Sequence, residues 1–97
     1  MTTWFVSRHQ GAIAWARQQG IEAVFVDHLD PHQVRPGDTV VGTLPVPLVA
    51  EINAKGARYF HLSINLPQEL RGRELSAEEL RSLGAKLEEY SAARRSF

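Results

Sequence analysis

Short apolar runs alternate with helix-forming segments along this chain, and this alternation constrains the fold more than any other feature. Thr3 to Val6 form a β-branched and aromatic run. A polar, Ala-rich segment from His9 to Gln19 follows it, with Gly20 at a position where helices often end. Strands that alternate with helices are typical of α/β proteins, because each helix returns the chain to the same end of a parallel sheet. The sequence therefore predicts an α/β fold.

The alternation continues through the middle of the chain. We expect strands at 22–26, 39–43 and 57–64, separated by a loop at 27–38 with at most one helical turn and by a helix at 46–55. A proline in the first turn of that helix is tolerated, because the N–H it lacks would have no partner there. Gly56 marks its end.

The last predicted helix carries the clearest local signal. Ser76 and Glu79 match a capping box, in which each side chain binds the other residue's backbone N–H. An apolar seam at spacings of three and four follows, formed by Leu80, Leu83, Leu87 and Tyr90. This pattern predicts one long helix whose seam either covers a sheet face or pairs with its copy in a dimer.

The predicted strands are short and almost wholly apolar, which favours a parallel sheet covered by helices on both faces. The first helix joins strand one to strand two, and the next link is too long for a hairpin. The economical arrangement places strand three on the other side of strand one, in the order 2-1-3-4. We therefore expect a mainly parallel four-stranded sheet in a three-layer domain, with a ligand crevice where strands one and three end.

Composition indicates one domain and restricts its partners. The 97 residues include no cysteine, 43% are hydrophobic, and acidic and basic residues are equal in number. We expect a single domain over 1–97, small enough to gain stability from dimerisation, in the reducing cytoplasm. A net charge of zero argues against duplex nucleic acid as a partner, and we expect no leader or membrane span, because Arg8 interrupts the first apolar run early.

Polar residues follow directly on the first buried strand, at the expected crevice. Ser7, Arg8 and His9 lead into Gln10 and Gly11, where a helix N-terminus offers free N–H groups to an anion. Arg8 suits a phosphate, Ser7 can bind a phosphate oxygen or cap the helix, and His9 can carry a proton. The alternative is a simple helix cap flanked by solvated side chains.

The loop after strand three has a similar position. Gly42 permits close approach of the backbone, and Thr43 offers a hydroxyl. Leu44 and Pro45 lead into the next helix, whose N-terminus we expect to face the same crevice. An ordinary strand end is the alternative, because neither loop matches a Walker loop or a dinucleotide-binding fingerprint.

Three other polar groups are weaker candidates. His28 and His32 lie four apart, but the proline between them disfavours the helix that would bring both imidazoles to one metal, so we expect no metal site. His61 falls within strand four and is either a structural residue or a catalytic one. Arg71 and Arg73 flank a flexible glycine and either stay solvated or close over an anion.

Four ordered blocks together resemble a known family. They are Trp4–His9, Pro36–Pro45, Gly56–Leu62 and Arg71–Leu75. These blocks, which span nearly the whole chain, resemble the Csx sixteen family of CRISPR-associated proteins, encoded beside type III systems. The resemblance implies a Rossmann-like domain of the CARF type that forms a homodimer.

The resemblance also implies an activity. Members of such a group are ring nucleases, which open cyclic oligoadenylate, the second messenger of type III CRISPR systems, and cyclic tetra-adenylate is the expected substrate. The implied reaction needs no metal or other cofactor, because a ribose 2′-hydroxyl attacks its own 3′-phosphate. A non-catalytic module that senses or sequesters the cyclic nucleotide is the alternative.

The implied site joins the two loops. Ser7, Arg8 and His9 are the expected catalytic residues, with His61 as the alternative to His9 for general acid or base. Two copies of Arg8 would meet one ring of phosphates in a two-fold dimer. The residues expected to contact the ligand are Gln10, Gly11, Gly42, Thr43, Leu44, Pro45, His61, Arg71 and Arg73.

Overall fold

One five-stranded sheet organises the protein, whose computed structural model describes residues 1–97. Its strands are β1 (Thr3–Val6), β2 (Val24–Val26), β3 (Thr39–Gly42), β4 (Arg58–Ser63) and β5 (Lys86–Tyr90). They lie in the order β2-β1-β3-β4-β5, with the first four parallel and β5 antiparallel to β4. The predicted order of the first four strands is confirmed, but the sheet is mixed and has five strands, where we expected a mainly parallel sheet of four.

Helices cover both faces of the sheet. They are α1 (Gln10–Gln18), α2 (Val46–Ala54) and α3 (Ala77–Ser82), with 3₁₀ turns at Pro31–Gln33 and Gln68–Leu70. Helices α1 and α3 pack on one face around Phe5 and Trp15, whereas α2 packs on the other around Val40, Ile52 and Tyr59. Neighbouring strand residues point to opposite faces, so each central strand supplies both cores. None of the helices combines the length and apolar character needed to cross a bilayer.

The long last helix was the main error of the sequence prediction. Its start is right: the Ser76 hydroxyl accepts from the Glu79 N–H at 3.1 Å, and the Glu79 carboxylate accepts from the Ser76 N–H at 3.0 Å. However, α3 ends at Ser82, and Gly84 has a φ of 75°, a left-handed conformation that glycine favours and that stops the helix. Leu87 and Tyr90 therefore belong to β5, and no continuous helical seam exists.

Pairing with β4 is what stabilises this segment as a strand. Leu87 lies opposite Leu62 and packs against the core under α1 and α3. The Arg58 guanidinium also binds both carboxylate oxygens of Glu89, at 2.7 and 2.8 Å. The edge left open by β4 offers a whole ladder of hydrogen bonds, which outweighs the helical spacing of the leucines.

A buried carboxylate secures the opposite end of the sheet. Asp38, 3% exposed, accepts hydrogen bonds from the backbone N–H groups of Thr2 and Arg35 at 2.9 and 3.0 Å and from the Trp4 indole at 3.2 Å. Burial alone would raise the pKa of Asp38, but these donors outweigh it and hold that pKa below its usual range. The carboxylate thus ties the chain ahead of β1 to the turn before β3.

Candidate functional site

A cleft of about 270 Å³ opens at the carboxyl ends of β1, β3 and β4. It lies where the connections from β1 and β3 leave in opposite directions, one towards α1 and the other towards α2, as expected for a ligand crevice in an open α/β sheet. We call it the first cleft. Its lining residues are Phe5, Val6, Ser7, His9, Ala12, Gly42, Thr43, Leu62, Ile64, Arg73, Leu75 and Leu80.

The start of α1 borders the first cleft and has free backbone N–H donors. His9 is the N-cap residue of this helix, and its side chain makes no hydrogen bond to the first turn. The Ser7 hydroxyl instead accepts from the His9 N–H at 3.1 Å, one step ahead of the helix. The first-turn amides of Gln10 and Gly11 therefore lack a side-chain cap, and together with the helix dipole they favour an anion.

Gly11 brings a distant segment to this helix start. A Cβ at position 11 would lie 1.7 Å from the Leu75 carbonyl oxygen, so only glycine lets the two backbones approach this closely. Through this contact the segment that precedes α3 forms one wall of the first cleft. Arg73 and Leu75 reach the cleft in this way, next to Ser7 and His9.

His9 has a partner that sequence reasoning missed. Its Nδ1 lies 2.6 Å from the Glu74 carboxylate, although 65 positions separate the two residues. An ionised carboxylate can only accept, so Nδ1 carries the proton, and in the neutral ring the lone pair is on Nε2. Both side chains are largely exposed, at 64% and 70%. The sequence signal for Glu74 was only its place beside Arg71 and Arg73.

The predicted arginines lie in different surroundings. Arg73 lines the first cleft and forms an ion pair with Glu79, the capping-box residue of α3. The backbone N–H of Ser76 and then the Arg73 charge lower the pKa of that carboxyl. Arg8 and Arg71 are exposed and are not part of the cleft lining. Arg8 makes no ion pair.

The β3–α2 loop contributes the facing wall. Thr43 is exposed and lines the first cleft, and a Cβ at Gly42 would lie 2.8 Å from the Val6 carbonyl oxygen. Gly42 thus allows close contact between the ends of β1 and β3. Pro45 is the N-cap residue of α2, and Leu44 turns away from the cleft. The start of α2, which we expected at the same crevice, lies on the other face of the sheet, where Val46 lines a second cleft.

His61 also belongs to this second cleft, of about 350 Å³, together with Tyr59 and Tyr90. Its Nδ1 lies 2.6 Å from the Tyr59 hydroxyl, and its ring meets the Tyr90 ring edge-on at 5.9 Å between centroids. Burial raises the pKa of Tyr59. The structure therefore does not bring His61 together with Ser7, Arg8 and His9.

The two loop histidines lie away from both clefts. His28 and His32 are exposed, and the His32 N–H donates to the Asp30 carboxylate at 3.0 Å, which caps the 3₁₀ turn. No three His, Asp or Glu side chains come together in the structure in a way that could hold a metal ion.

Comparison with known proteins identifies a family for this chain. No curated protein and no solved structure matches the chain. A family model described as "Putative CRISPR-associated protein (Cas_VVA1548)" matches residues 4–93. The CRISPR association expected from the sequence is thereby confirmed. Because the match covers almost the whole chain, including both walls of the first cleft, the protein belongs to this family of CRISPR-associated proteins.

Proposed function

We propose that this protein is a ring nuclease that opens cyclic oligoadenylate, with cyclic tetra-adenylate as substrate, and that it acts in a type III CRISPR system as a Csx sixteen protein. One observation carries the proposal: in the first cleft of a CRISPR-associated chain, the uncapped start of α1, the His9–Glu74 pair and Arg73 meet. Backbone amides and arginine suit phosphate, and an oriented imidazole suits proton transfer.

Charge in the first cleft is local. The chain has no net charge, so a polyanionic ring must be held by a few groups and not by a broad basic surface. Arg8 is exposed and lies in sequence between Ser7 and His9, which line the cleft together with Arg73. We propose that Arg8 and the α1 amides bind one phosphodiester, and that Arg73 exchanges Glu79 for the phosphate as charge develops on it.

The proposed reaction is an internal transfer at phosphorus. The 2′-oxygen of one ribose attacks the adjacent phosphorus and forms a 2′,3′-cyclic phosphate, while the bond to the 5′-oxygen of the next nucleotide breaks. The 2′-hydroxyl loses a proton and the leaving 5′-oxygen gains one, so no water is consumed. His9 Nε2 is the group that accepts the 2′-hydroxyl proton, and Ser7, Arg8 and Thr43 hold the phosphate in line.

Glu74 gives His9 its orientation in this scheme. By accepting from Nδ1 it fixes the imidazole so that Nε2 carries the lone pair. It also stabilises the positive charge that the ring acquires when it takes a proton. Glu74 is therefore a positioning residue, and His9 is the group in contact with the reacting atoms.

The experiment that tests the proposal is a single-turnover assay. Purified protein in excess over cyclic tetra-adenylate, in EDTA, is expected to yield linear products ending in 2′,3′-cyclic phosphate, separated by chromatography. His9→Gln should abolish or strongly slow the reaction, whereas His32→Gln, at an exposed site outside the cleft, serves as the matched control. Persistence of the intact ring with wild-type protein excludes the nuclease and, if the ring still binds, leaves the sensor or sequestering module.

The proposal includes a homodimer. A ring of repeating nucleotides offers equivalent phosphates, so two copies related by a two-fold axis can each supply Arg8 and the start of α1. Sedimentation of the protein with and without cyclic tetra-adenylate tests this. A monomer that cleaves the ring at full rate contradicts the shared site.

A further inference from the structure

The buried hydroxyl of Tyr59 binds the β3–α2 loop on the face of the sheet that is covered by α2, opposite the face covered by α1 and α3. Tyr59 is 2% exposed, and its hydroxyl lies 2.9 Å from the Leu44 N–H, 3.0 Å from the Gly42 carbonyl oxygen and 2.6 Å from His61 Nδ1. Gly42 and Leu44 are the two neighbours of Thr43 in sequence. The backbone on each side of Thr43 is thus attached to the same atom.

The protons at this hydroxyl can be assigned from its partners. The Leu44 N–H donates to the hydroxyl oxygen, and the hydroxyl donates its single proton to the Gly42 carbonyl. His61 Nδ1 then donates to the remaining lone pair of the hydroxyl oxygen. All three contacts are satisfied at once, with the Nδ1 of His61 protonated.

We infer that Tyr59 is a positioning residue for Thr43, and that His61 acts through Tyr59 instead of meeting the substrate. Thr43 lines the first cleft, whereas Tyr59 and His61 line the second. The Tyr59 hydroxyl binds the backbone of both neighbours of Thr43 and so fixes the position of the Thr43 side chain in the first cleft. Tyr59 does this without contacting the ligand. The catalytic part of this inference rests on the proposed function, because its readout is cleavage of the cyclic nucleotide.

Tyr59→Phe removes the hydroxyl and keeps the ring in the core. We expect hydrogen exchange of the Leu44 amide to become at least tenfold faster, and single-turnover cleavage of cyclic tetra-adenylate to slow roughly tenfold to a hundredfold, since small misplacements at a reacting centre have effects of that size. The dissociation constant should change much less than the rate, because the α1 amides and the arginines are untouched.

Two matched controls separate positioning from a general loss of stability. Tyr90→Phe makes the same chemical change on an exposed residue that also faces His61, and it should leave both exchange and cleavage unchanged. Ile52→Val weakens the same core without touching the hydroxyl, so it should lower the melting temperature and leave the cleavage rate near normal.

His61→Ala provides a second variant that does not depend on the folding of Tyr59→Phe. His61→Ala should slow cleavage no more than Tyr59→Phe does, and the variant that carries both substitutions should be no slower than Tyr59→Phe alone. The pH dependence of the remaining activity should keep its wild-type midpoint. A shifted or flattened pH profile in His61→Ala, or normal cleavage by Tyr59→Phe with rapid Leu44 exchange, overturns the inference. A wild-type protein that leaves the ring intact overturns the proposed function instead, and Leu44 exchange still decides whether Tyr59 holds the loop.

Discussion

Replacing Gly11 by alanine tests the contact that builds the first cleft. The added methyl group would lie 1.7 Å from the Leu75 carbonyl oxygen and 2.8 Å from its carbon. Real Cβ contacts essentially never fall below 3.0 Å, so α1 and the segment before α3 must separate by at least 1.3 Å. The obstacle is backbone, which cannot rotate away as a flexible side chain would.

The expected cost combines two opposing effects. Crowding of this kind costs about 1–3 kcal/mol, and because backbone must move we place it at the upper end. Alanine favours a helix by up to about 1 kcal/mol over glycine, which offsets part of that cost. A net loss of about 2 kcal/mol would lower the melting temperature by roughly 8–16 °C in a domain of this size.

Function should suffer more than stability. The separation moves Arg73 and Glu74 away from Ser7 and His9, and a displacement of about 1 Å at a reacting centre can cost a hundredfold in rate. Thermal unfolding followed by circular dichroism measures the first effect, and single-turnover cleavage well below the melting temperature measures the second.

Ala14→Gly is the matched control for Gly11→Ala, because it reverses the change at an exposed position of the same helix. It should destabilise by about 1 kcal/mol through helix propensity alone and leave cleavage intact. If Gly11→Ala melts at or above the wild-type temperature, the close approach of α1 to Leu75 is wrong, and with it our account of how the cleft forms.

Three other substitutions test separate parts of the structure. Asp38→Asn should destabilise by roughly 1–3 kcal/mol near neutral pH, since it leaves buried N–H donors poorly matched. The pKa of Asp38 is lowered in the folded state, so its contribution to the free energy of unfolding is complete above the unfolded pKa of about 4 and is lost as the pH falls through the folded pKa. Urea titrations from pH 7 to pH 3 should therefore show that the difference in stability between Asp38→Asn and the wild type becomes smaller. Glu74→Ala removes the acceptor of His9 Nδ1 and should leave the melting temperature unchanged, because the pair is exposed, yet slow cleavage roughly tenfold or more through the lost orientation of His9; equal cleavage by the two proteins would remove Glu74 from the mechanism. Arg8→Ala should lower the cleavage rate about a hundredfold, the typical effect of losing one transition-state donor, while Arg35→Ala, an exposed arginine at the other end of the sheet, should not; a near-normal single-turnover rate in Arg8→Ala would contradict the proposed site.

Local patterns predicted those parts of the fold that depend on local chemistry. The first four strands, α1, α2 and the capping box of α3 follow from apolar runs, prolines and glycines that act within a few residues. The long last helix failed because Leu80, Leu83, Leu87 and Tyr90 keep helical spacing on both sides of Gly84. Gly84 was the local signal against it, and the open edge of β4 decided the outcome.

The site was predictable only where it follows a strand directly. Ser7, His9 and Thr43 line the first cleft because they come after β1 and β3, whose adjacency follows from the connections between strands. Glu74 was missed because its meeting with His9 depends on a packing contact far along the chain. His61 was misleading, because a histidine in a strand gives no sign of which face it occupies until the register with its neighbours is known.

The sequence by itself determined an α/β domain, the order of its first four strands and the place of Ser7 at the carboxyl end of β1, since these rest on apolar periodicity and on the connections between strands. Tertiary structure alone decided which side chains join Ser7 there. The approach of Gly11 to Leu75 brings Arg73 and Glu74 to His9, and the Tyr59 hydroxyl, on the face covered by α2, binds the backbone on each side of Thr43. Both depend on contacts between backbones and side chains distant in sequence, whose geometry exists only once the sheet and its two helical layers have packed.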